Sequence, residues 1–291
     1  VRKWTIRTTW AQYIPFISKL YSPLRIFAPL FWNSLNFEGY DVVISSSSVY
    51  FGKGIKVKKP TIHISYCHTP PRFLYGYETA IEWKRYWWGN LFGSLMNHFL
   101  RLYDFKIAQR VDFFIANSKE VLRRIKKFYR RDCVVIYPPV DLARGPVAAF
   151  PPASARSSLV SSNDLRAVGN PSTRTTPRYF LVVSRLARAK HIDIAIKACN
   201  KLKLPLKVVG TGREGEYLKS IAGPTVSMLG EVSDENLVQL YTNCKAVIFP
   251  AVEEDFGMVP VEAMSFGKPV IAFRSGGVVE SVVDCKTGLF F

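Results

Sequence analysis

The stretch that decides the fold is AVIFPAVEEDFGMVPVEAM, residues 246–264. Its apolar start, AVIF, predicts a buried strand, and its end has the small, apolar face of a packed helix. Two carboxylates, Glu254 and Glu262, lie eight residues apart across this strand-to-helix turn. Gly257 lets the backbone approach a ligand closely, and the amides from Phe256 onward are the unpaired donors of a helix N-terminus. The stretch therefore predicts an anion site with an acid on each side.

Strands and helices alternate on both sides of this stretch. The apolar runs predict strands at 179–184, 206–209, 226–229, 246–249 and 269–272, with helices at 191–202, 214–221, 234–243 and 278–283. Short loops between such elements require a parallel sheet that is covered by helices. Glycines and charged residues follow the strands, so they converge on the edge where open α/β sheets bind ligands.

The first half shows the same pattern less completely. Asp41–Ser45 predicts a buried parallel strand, and three more are predicted at 61–66, at 111–116 and at 133–141, where the run stops in a Pro-Pro pair. The second strand ends in the loop CHTPPR, which holds His68 and Arg72 and is stiffened by two prolines. A lone histidine is usually structural, but its place at a strand tip beside an arginine leaves a site role open.

Aromatic and basic residues interleave in two helical stretches, 4–32 and 79–111. Their period predicts helices packed on a core. The alternative is a groove-facing or membrane-facing surface, with Lys84–Trp88 as an interfacial patch. A further helix at 119–129, capped by Ser118, carries a run of cations. Such a run favours a solvated face, and a membrane-surface or phosphate-binding role is the alternative.

Length and charge narrow the class of protein. A chain of 291 residues suggests about two domains, and 48% hydrophobic residues exclude general disorder. Residues 1–140 carry 22 Lys and Arg against 8 Asp and Glu, whereas the remainder carries 18 against 14. A basic first half predicts an anionic partner such as phosphates, an anionic membrane or nucleic acid. Nucleic acid is not expected, because no motif for binding it is present.

Other residue types point to an intracellular location without a bound metal. Five scattered cysteines without a CxxC pair predict reduced thiols in a cytoplasmic protein. The four histidines lack metal-ligand spacing. No signal peptide and no apolar run of about 18 residues is found. Peripheral association with the inner face of the membrane is the alternative to a purely cytoplasmic location.

A segment rich in Ala, Pro, Ser and Arg, residues 143–177, has no periodicity and predicts an interdomain linker. A structureless stretch of this length is unusual inside a compact domain. We therefore expect a first domain at 1–141, a linker at 142–177 and a second domain at 178–291.

The motifs of the second half occur in a characteristic order. They are Ser184-Arg185-Leu186 with Lys190, Gly210-Thr211-Gly212, Gly230, the E-x7-E pair Glu254 and Glu262, and Gly276-Gly277-x-x-Glu280. In this order they resemble the nucleotide-sugar-dependent retaining glycosyltransferases of family 4. The loop at 66–72 is similar to the first-domain loop of bacterial members that transfer mannose in surface-polysaccharide synthesis.

The resemblance implies a fold and a reaction. The fold is α/β of the GT-B type, with two Rossmann-like domains facing a cleft. The expected sequence opening and ending of such domains are absent, so we expect a fragment truncated at both ends with an incomplete first domain. The reaction is retaining transfer of a sugar, mannose from GDP-mannose, to a glycan or lipid-linked acceptor. A UDP-sugar donor is the alternative, as is a non-catalytic basic protein that binds nucleic acid or membrane.

The resemblance also implies roles for side chains. Arg185 and Lys190 would neutralise the donor diphosphate, so neither a metal nor another cofactor is expected. Glu262 would accept hydrogen bonds from the ribose hydroxyls. Glu254 would face the donor sugar as a nucleophile or an electrostatic stabiliser. His68 would lie near the sugar and the acceptor.

The remaining donor contacts implied by the resemblance involve backbone groups. The amides of Phe256, Gly257 and Met258 would hold sugar hydroxyls and phosphate. Val232 would contact the base through its backbone, and Gly210 would line the phosphate pocket.

Overall fold

The computed structural model describes residues 5–16, 27–48, 50–78, 87–140 and 179–291. The chain divides into two compact units, Val1–Pro138 and Pro139–Phe291, and each is described by itself. The predicted linker at 142–177 lies outside the described residues, and so do residues 84–86 of the predicted interfacial patch.

The first unit is built on a four-stranded parallel sheet whose strands lie side by side in chain order. Short 3-10 helices occur at Trp10–Tyr13 and Arg72–Leu74. The strands are Val42–Ser47 (β1), Ile62–Cys67 (β2), Phe113–Ala116 (β3) and Cys133–Val135 (β4), and the helices are Ala28–Trp32 (α1), Tyr50–Lys53 (α2), Trp87–Ala108 (α3) and Lys119–Tyr129 (α4).

Helix α4 begins and ends where local chemistry favours it. The Ser118 hydroxyl accepts a hydrogen bond from the Val121 amide at 3.0 Å, which confirms the predicted cap. The helix ends at Arg130, whose backbone is left-handed. By contrast, α3 ends at Ala108 and not at residue 111 as predicted, and residues 79–86 of the predicted helix lie outside the described chain. Of the described residues within 4–32, only two short pieces are helical.

The two faces of the first sheet differ. On one face, Cys67, Phe114 and Ala116 pack with residues of α4 into a buried cluster. On the other face, apolar side chains of all four strands are exposed, among them Val42, Ile44, Ile62, Phe113 and Val134. The prediction of a buried strand at 41–45 was therefore wrong for Val42 and Ile44, because little of the described chain covers this face.

The second unit contains a six-stranded parallel sheet. A 3-10 helix at Gly276–Glu280 replaces the helix predicted at 278–283, and the last strand was not predicted. The strands are Tyr179–Val183 (β5), Leu206–Val209 (β6), Val226–Gly230 (β7), Cys244–Phe249 (β8), Val270–Ala272 (β9) and Gly288–Phe290 (β10), and the helices are Ile192–Leu202 (α5), Gly215–Ile221 (α6), Asp234–Asn243 (α7) and Met258–Ser265 (α8).

Strand order in the second sheet creates a natural ligand site. The chain adds β6 and β7 on one side of β5, then returns to add β8, β9 and β10 on the other, giving the order β10-β9-β8-β5-β6-β7. The order in which the chain adds strands therefore reverses between β5 and β8, although these two strands are parallel. Open α/β sheets bind ligands outside the carboxyl ends of the strands at such a point.

Both faces of the second sheet are covered. Val182, Ile196 and Leu206 belong to a cluster on the side of α5 and α6. Leu181 and Val247 belong to a cluster on the side of α7 and α8. Neighbouring residues of β5 point to opposite faces and are both buried, which is why its sequence is a continuous apolar run.

Two further observations concern the whole described chain. The five cysteines are free thiols, as predicted. Among the described helices, none has both the length and the hydropathy required to cross a membrane.

Candidate active site

An ion pair joins the ends of β5 and β8. Lys190 lies in the 3-10 helix Arg188–Lys190 that follows β5, and its Nζ atom contacts Oε2 of Glu254 in the loop after β8. The two side chains are 22% and 18% exposed. Partial burial reduces solvent screening, so the attraction exceeds that of a surface pair. The structure thus brings two of the predicted site residues together at the point where the strand order reverses.

The loop after β9 fixes the backbone that presents Glu254. The Gly277 amide donates a hydrogen bond to the Glu254 carbonyl at 2.7 Å, and Ser275 Oγ accepts one from the Glu253 amide at 3.1 Å. Gly276 has a φ of +67°, and a Cβ there would lie 2.4 Å from the Glu254 carbonyl oxygen. Only glycine fits this approach. Sequence reasoning noted the two glycines but missed the contact of Ser275.

The second acid, Glu262 on α8, is held by a tyrosine. Tyr241 Oη donates a hydrogen bond to Glu262 Oε2 at 3.0 Å. The Tyr241 ring is buried and stacks on Phe266, with the ring centroids 5.0 Å apart. Burial first, and then the neighbouring Glu262, raise the pKa of Tyr241 well above its usual range. The phenol therefore stays protonated and acts as a donor to the carboxylate.

A small cavity opens beside Glu262. Its volume is about 80 Å³, and its lining includes Asp234, Leu237 and Ser265 from α7 and α8. Val232, the predicted base contact, is half-buried and packs against the cluster on this side of the sheet. The carboxylate therefore borders a pocket with both polar and apolar walls.

The ends of β5 and β6 meet at Gly210. This residue has a φ of +124°, and a Cβ would lie 2.0 Å from the Ser184 carbonyl oxygen. The close contact places Gly210 beside Arg185, which is exposed and forms no ion pair with any described residue. The two predicted cations thus differ, because Lys190 has an acidic partner and Arg185 has none within the described chain.

Helix α8 begins without a side-chain cap. Its N-cap residue is Gly257, which is left-handed with a φ of +88°, and no side chain accepts a hydrogen bond from the first turn. Phe256 and Gly257 are buried, whereas Met258 is exposed. First-turn amides have no acceptor within a helix and carry its positive dipole end, so this turn can bind an anion or a hydroxyl oxygen.

His68 belongs to the first unit, at the end of β2. Its Nε2 atom lies 2.9 Å from Ser46 Oγ, and its ring meets that of Tyr66 edge-on with centroids 5.2 Å apart. In the same loop, Arg72 buries its Nε and Nη2 atoms without a hydrogen-bond partner among the described residues. The loop after β2 therefore presents an oriented imidazole and a guanidinium whose donors are not all used.

A metal site is not evident in the described part of the chain. No three His, Cys, Asp or Glu side chains are grouped there as ligands of an ion.

Comparison with known families assigns the chain. A model for "Glycosyltransferase Family 4" matches residues 7–144, and one for "Glycosyl transferases group 1" matches residues 168–291. The chain superimposes on sucrose-phosphate synthase from Thermosynechococcus elongatus with a TM-score of 0.64 and 20% identity, over 96% of this chain and 67% of that one. It superimposes on Anabaena HepE, in complex with UDP and glucose, with a TM-score of 0.56 and 20% identity, over 99% and 70%.

These matches define the class. The two parallel-sheet units have the GT-B fold of a glycosyltransferase. More particularly, the chain belongs to glycosyltransferase family 4. The family and the fold expected from the sequence are thereby confirmed.

Two curated relatives are mannosyltransferases. The alpha-1,3/1,6-mannosyltransferase ALG2 of Candida glabrata is 23% identical over 259 residues, which cover 75% of this chain and 52% of the relative. The GDP-mannose-dependent alpha-mannosyltransferase of Mycolicibacterium smegmatis is 34% identical over 107 residues, 37% of this chain and 28% of the relative. The matches span about a third to a half of the length of such relatives.

Proposed function

We propose that the chain carries the donor site of a retaining glycosyltransferase that transfers mannose from GDP-mannose to a glycan or lipid-linked acceptor. The observation that carries this proposal is the pairing of Lys190 and Glu254 at the reversal point of the second sheet, with Glu262 on the helix that follows. The names of the two mannosyltransferase relatives support the choice of sugar and base.

In this proposal Arg185 and Lys190 bind the donor diphosphate. Negative charge develops on the leaving nucleoside diphosphate, and fixed cations stabilise it in the transition state. Arg185 is exposed and available to the diphosphate. Lys190 is already paired with Glu254, so it would contact the diphosphate while it remains close to this acid. Since two cations supply the charge, we expect no requirement for a divalent metal, and EDTA should leave transfer unchanged.

The two acids then act on different parts of the donor. Glu262, oriented by Tyr241, accepts hydrogen bonds from the ribose hydroxyls, and the base lies towards Val232 and the 80 Å³ cavity. The amides of Phe256, Gly257 and Met258 bind sugar hydroxyls and phosphate, and Gly210 lines the phosphate pocket from the end of β6.

Glu254 faces the anomeric carbon in this proposal. It acts either as a nucleophile or as a stabiliser of the positive charge that develops on the sugar ring. In the second case the leaving phosphate takes the proton of the acceptor hydroxyl, and retention follows from attack on the same face. The first unit supplies the acceptor side, with His68 as its contact to the sugar or the acceptor.

Titration calorimetry of the 291-residue chain with GDP, UDP and ADP tests the donor site. We expect GDP to bind most tightly. Tighter binding of UDP would replace the GDP-sugar with the UDP-sugar alternative, which the UDP in the HepE structure also motivates. If a folded chain binds none of the three nucleotides, the proposal is wrong.

Three variants separate the roles of the acids. Glu262→Ala should weaken nucleotide binding, whereas Glu254→Ala should abolish release of labelled mannose from GDP-mannose and retain binding. Glu216→Ala, at a fully solvated position of α6, is the matched control and should change neither quantity. Persistent transfer by Glu254→Ala would show that its role has been misassigned.

A further inference from the structure

Helix α3 exposes a line of large apolar side chains. Leu95, Phe99 and Leu102 are 58%, 60% and 55% exposed, and Phe105 continues the line. Their spacing of four, three and three residues puts them on one side of the helix. They extend over roughly 15 Å, at 1.5 Å per residue. We call these four residues the α3 stripe.

The stripe is not the side by which α3 packs on its own unit. Asp104, which lies opposite Leu102 and Phe99 around the helix, is fully buried. It pairs with Lys53 at 2.6 Å and accepts a hydrogen bond from Tyr75 at 2.8 Å. Since the opposite side of α3 already anchors the helix, the α3 stripe faces away from the core of the first unit.

Cations flank the α3 stripe, and exposed acids are lacking on the described part of α3. Arg101 and Lys106 of this helix are exposed, and Asp104, its one acid, is buried. Helix α4 also exposes cations, of which Arg123 pairs with Glu120 and Lys126 with Asp132.

We infer that the α3 stripe and its flanking cations form a docking surface for an anionic bilayer. A helix lying in the interface inserts its apolar side to about 5–10 Å while lysines and arginines stay at the phosphates. Each such cation contributes roughly 1 kcal/mol near an anionic surface. An acidic protein surface would also satisfy the cations, but it would need a groove for a convex row of leucine and phenylalanine side chains. A bilayer accepts the row without a shaped partner. This inference does not depend on the proposed transfer reaction.

Vesicle sedimentation with the 291-residue chain tests the inference. We expect the chain to sediment with vesicles of phosphatidylcholine mixed with phosphatidylglycerol and to remain in solution with phosphatidylcholine alone. Binding should weaken as salt is raised, because exposed charges become screened. The double variant Phe99→Glu/Leu102→Glu should lower the partition coefficient more than about tenfold. Arg101→Gln with Lys106→Gln should lower it roughly thirtyfold, because two cations are removed.

Two control variants separate the stripe from other exposed apolar residues. Leu202→Glu replaces an exposed leucine at the end of α5, and Phe113→Glu replaces an exposed phenylalanine of the first sheet. Both should bind vesicles as the wild type does. All these side chains are exposed, so thermal unfolding should change little, and a variant that unfolds early is replaced by the corresponding serine variant.

Three results would overturn the inference. They are equal binding to neutral vesicles, no binding to either kind of vesicle, and loss of binding in Phe113→Glu rather than in the stripe variants. Self-association that the stripe variants abolish, in a chain that ignores vesicles, would assign the α3 stripe to a contact between copies instead.

Discussion

The two sheets of this chain have similar sequences and different surroundings. In β5 of the second sheet, the neighbours Leu181 and Val182 are both buried. In β3 of the first sheet, Phe114 is 2% exposed and its neighbour Phe113 is 61% exposed. Both strands are short apolar runs. Such a run indicates that the side chains on both faces of the strand are apolar enough to be buried. Whether they are buried depends on the helices and loops that pack on each face. The difference shows that burial is a property of the assembled layers.

The better-covered sheet is also the one with the tightly joined strand ends. Gly210 brings the loop after β6 against Ser184, and Gly276 brings the loop after β9 against Glu254. These backbone contacts hold the positions from which Lys190 and Glu254 reach each other. A donor site benefits from this rigidity, because charges that are fixed before binding need no reorganisation during the reaction.

The largest expected effect compares the two faces of β3. Phe114→Ala should lower the free energy of unfolding of the first unit by about 3–5 kcal/mol, because it leaves a cavity in a packed cluster. Phe113→Ala should change it by less than about 0.5 kcal/mol, as for other exposed positions. Hydrogen exchange of the β3 amides measures both in the intact chain. Comparable costs for the two variants would mean that the exposed face is covered in solution.

The second comparison concerns two glycines with positive φ. Gly210→Ala should cost about 3 kcal/mol, the upper end of local backbone strain, because the new Cβ meets the Ser184 carbonyl. Gly39→Ala in the first unit should cost about 1 kcal/mol, since its φ is also positive but nothing lies within 4 Å of the Cβ. Urea unfolding of both variants measures the difference. Equal losses in the free energy of unfolding would show that the backbone around Gly210 and Ser184 can shift to accommodate a Cβ.

A third prediction tests whether helix α7, which covers the second sheet, also orients Glu262 through Tyr241. Tyr241→Phe removes the hydrogen bond to Glu262 and keeps the stacked ring. Hydrogen bonds to charged groups contribute about 1.5–3 kcal/mol, so GDP affinity should fall about tenfold or more.

The control for Tyr241→Phe is a change in the nucleotide, from GDP to 2′-deoxy-GDP, and not a second protein variant. If Tyr241 orients Glu262 towards the ribose, the variant should lose less affinity for 2′-deoxy-GDP than for GDP, because one of the two hydroxyls that Glu262 binds is already absent. Calorimetry with both nucleotides completes the cycle. An equal loss for GDP and 2′-deoxy-GDP would limit Tyr241 to packing.

Much of the fold was predictable from the sequence because it depends on local patterns. The apolar runs located nine of the ten strands to within a few residues, and Ser118 caps α4 as expected. The strand β10 was missed because Gly288–Phe290 is only three residues long. Its glycine is required since a Cβ would lie 2.1 Å from the Val270 carbonyl, a reason that appears only once the strands are side by side.

In the candidate site, too, the features set by local sequence were predicted and those set by tertiary contacts were missed. The order of the motifs identified the family, and the structure joins Lys190 to Glu254. Tyr241 was missed because its bond to Glu262 spans 21 residues and depends on the packing of α7 against α8. Ser275 was missed because its partner is a backbone amide in another loop. The ligand roles of all the predicted site residues, Lys190 and the two acids included, stay predictions for the nucleotide and transfer experiments.

The smallest expected effect is a loss of stability of the first unit as pH falls. His63 in β2 is buried on the packed face, with Nε2 at 2.9 Å from Ser45 Oγ. Burial lowers the pKa of His63, and Asp112 opposes this shift. An unfolded histidine has a pKa of about 6.5. As pH falls through that value the unfolded state binds the proton first, so the first unit should lose stability until the folded-state pKa is passed.

His63→Gln, which cannot titrate, should therefore flatten the loss of first-unit stability as pH falls below about 6.5. The same amides followed by hydrogen exchange report this loss. Asp112, whose pKa is lowered mainly by the His63 amide and then by Lys59, titrates at lower pH and does not contribute in this window. An unchanged slope in His63→Gln would mean that acid acts on the first unit elsewhere, and the polar contacts on its packed face would then be insensitive to protonation.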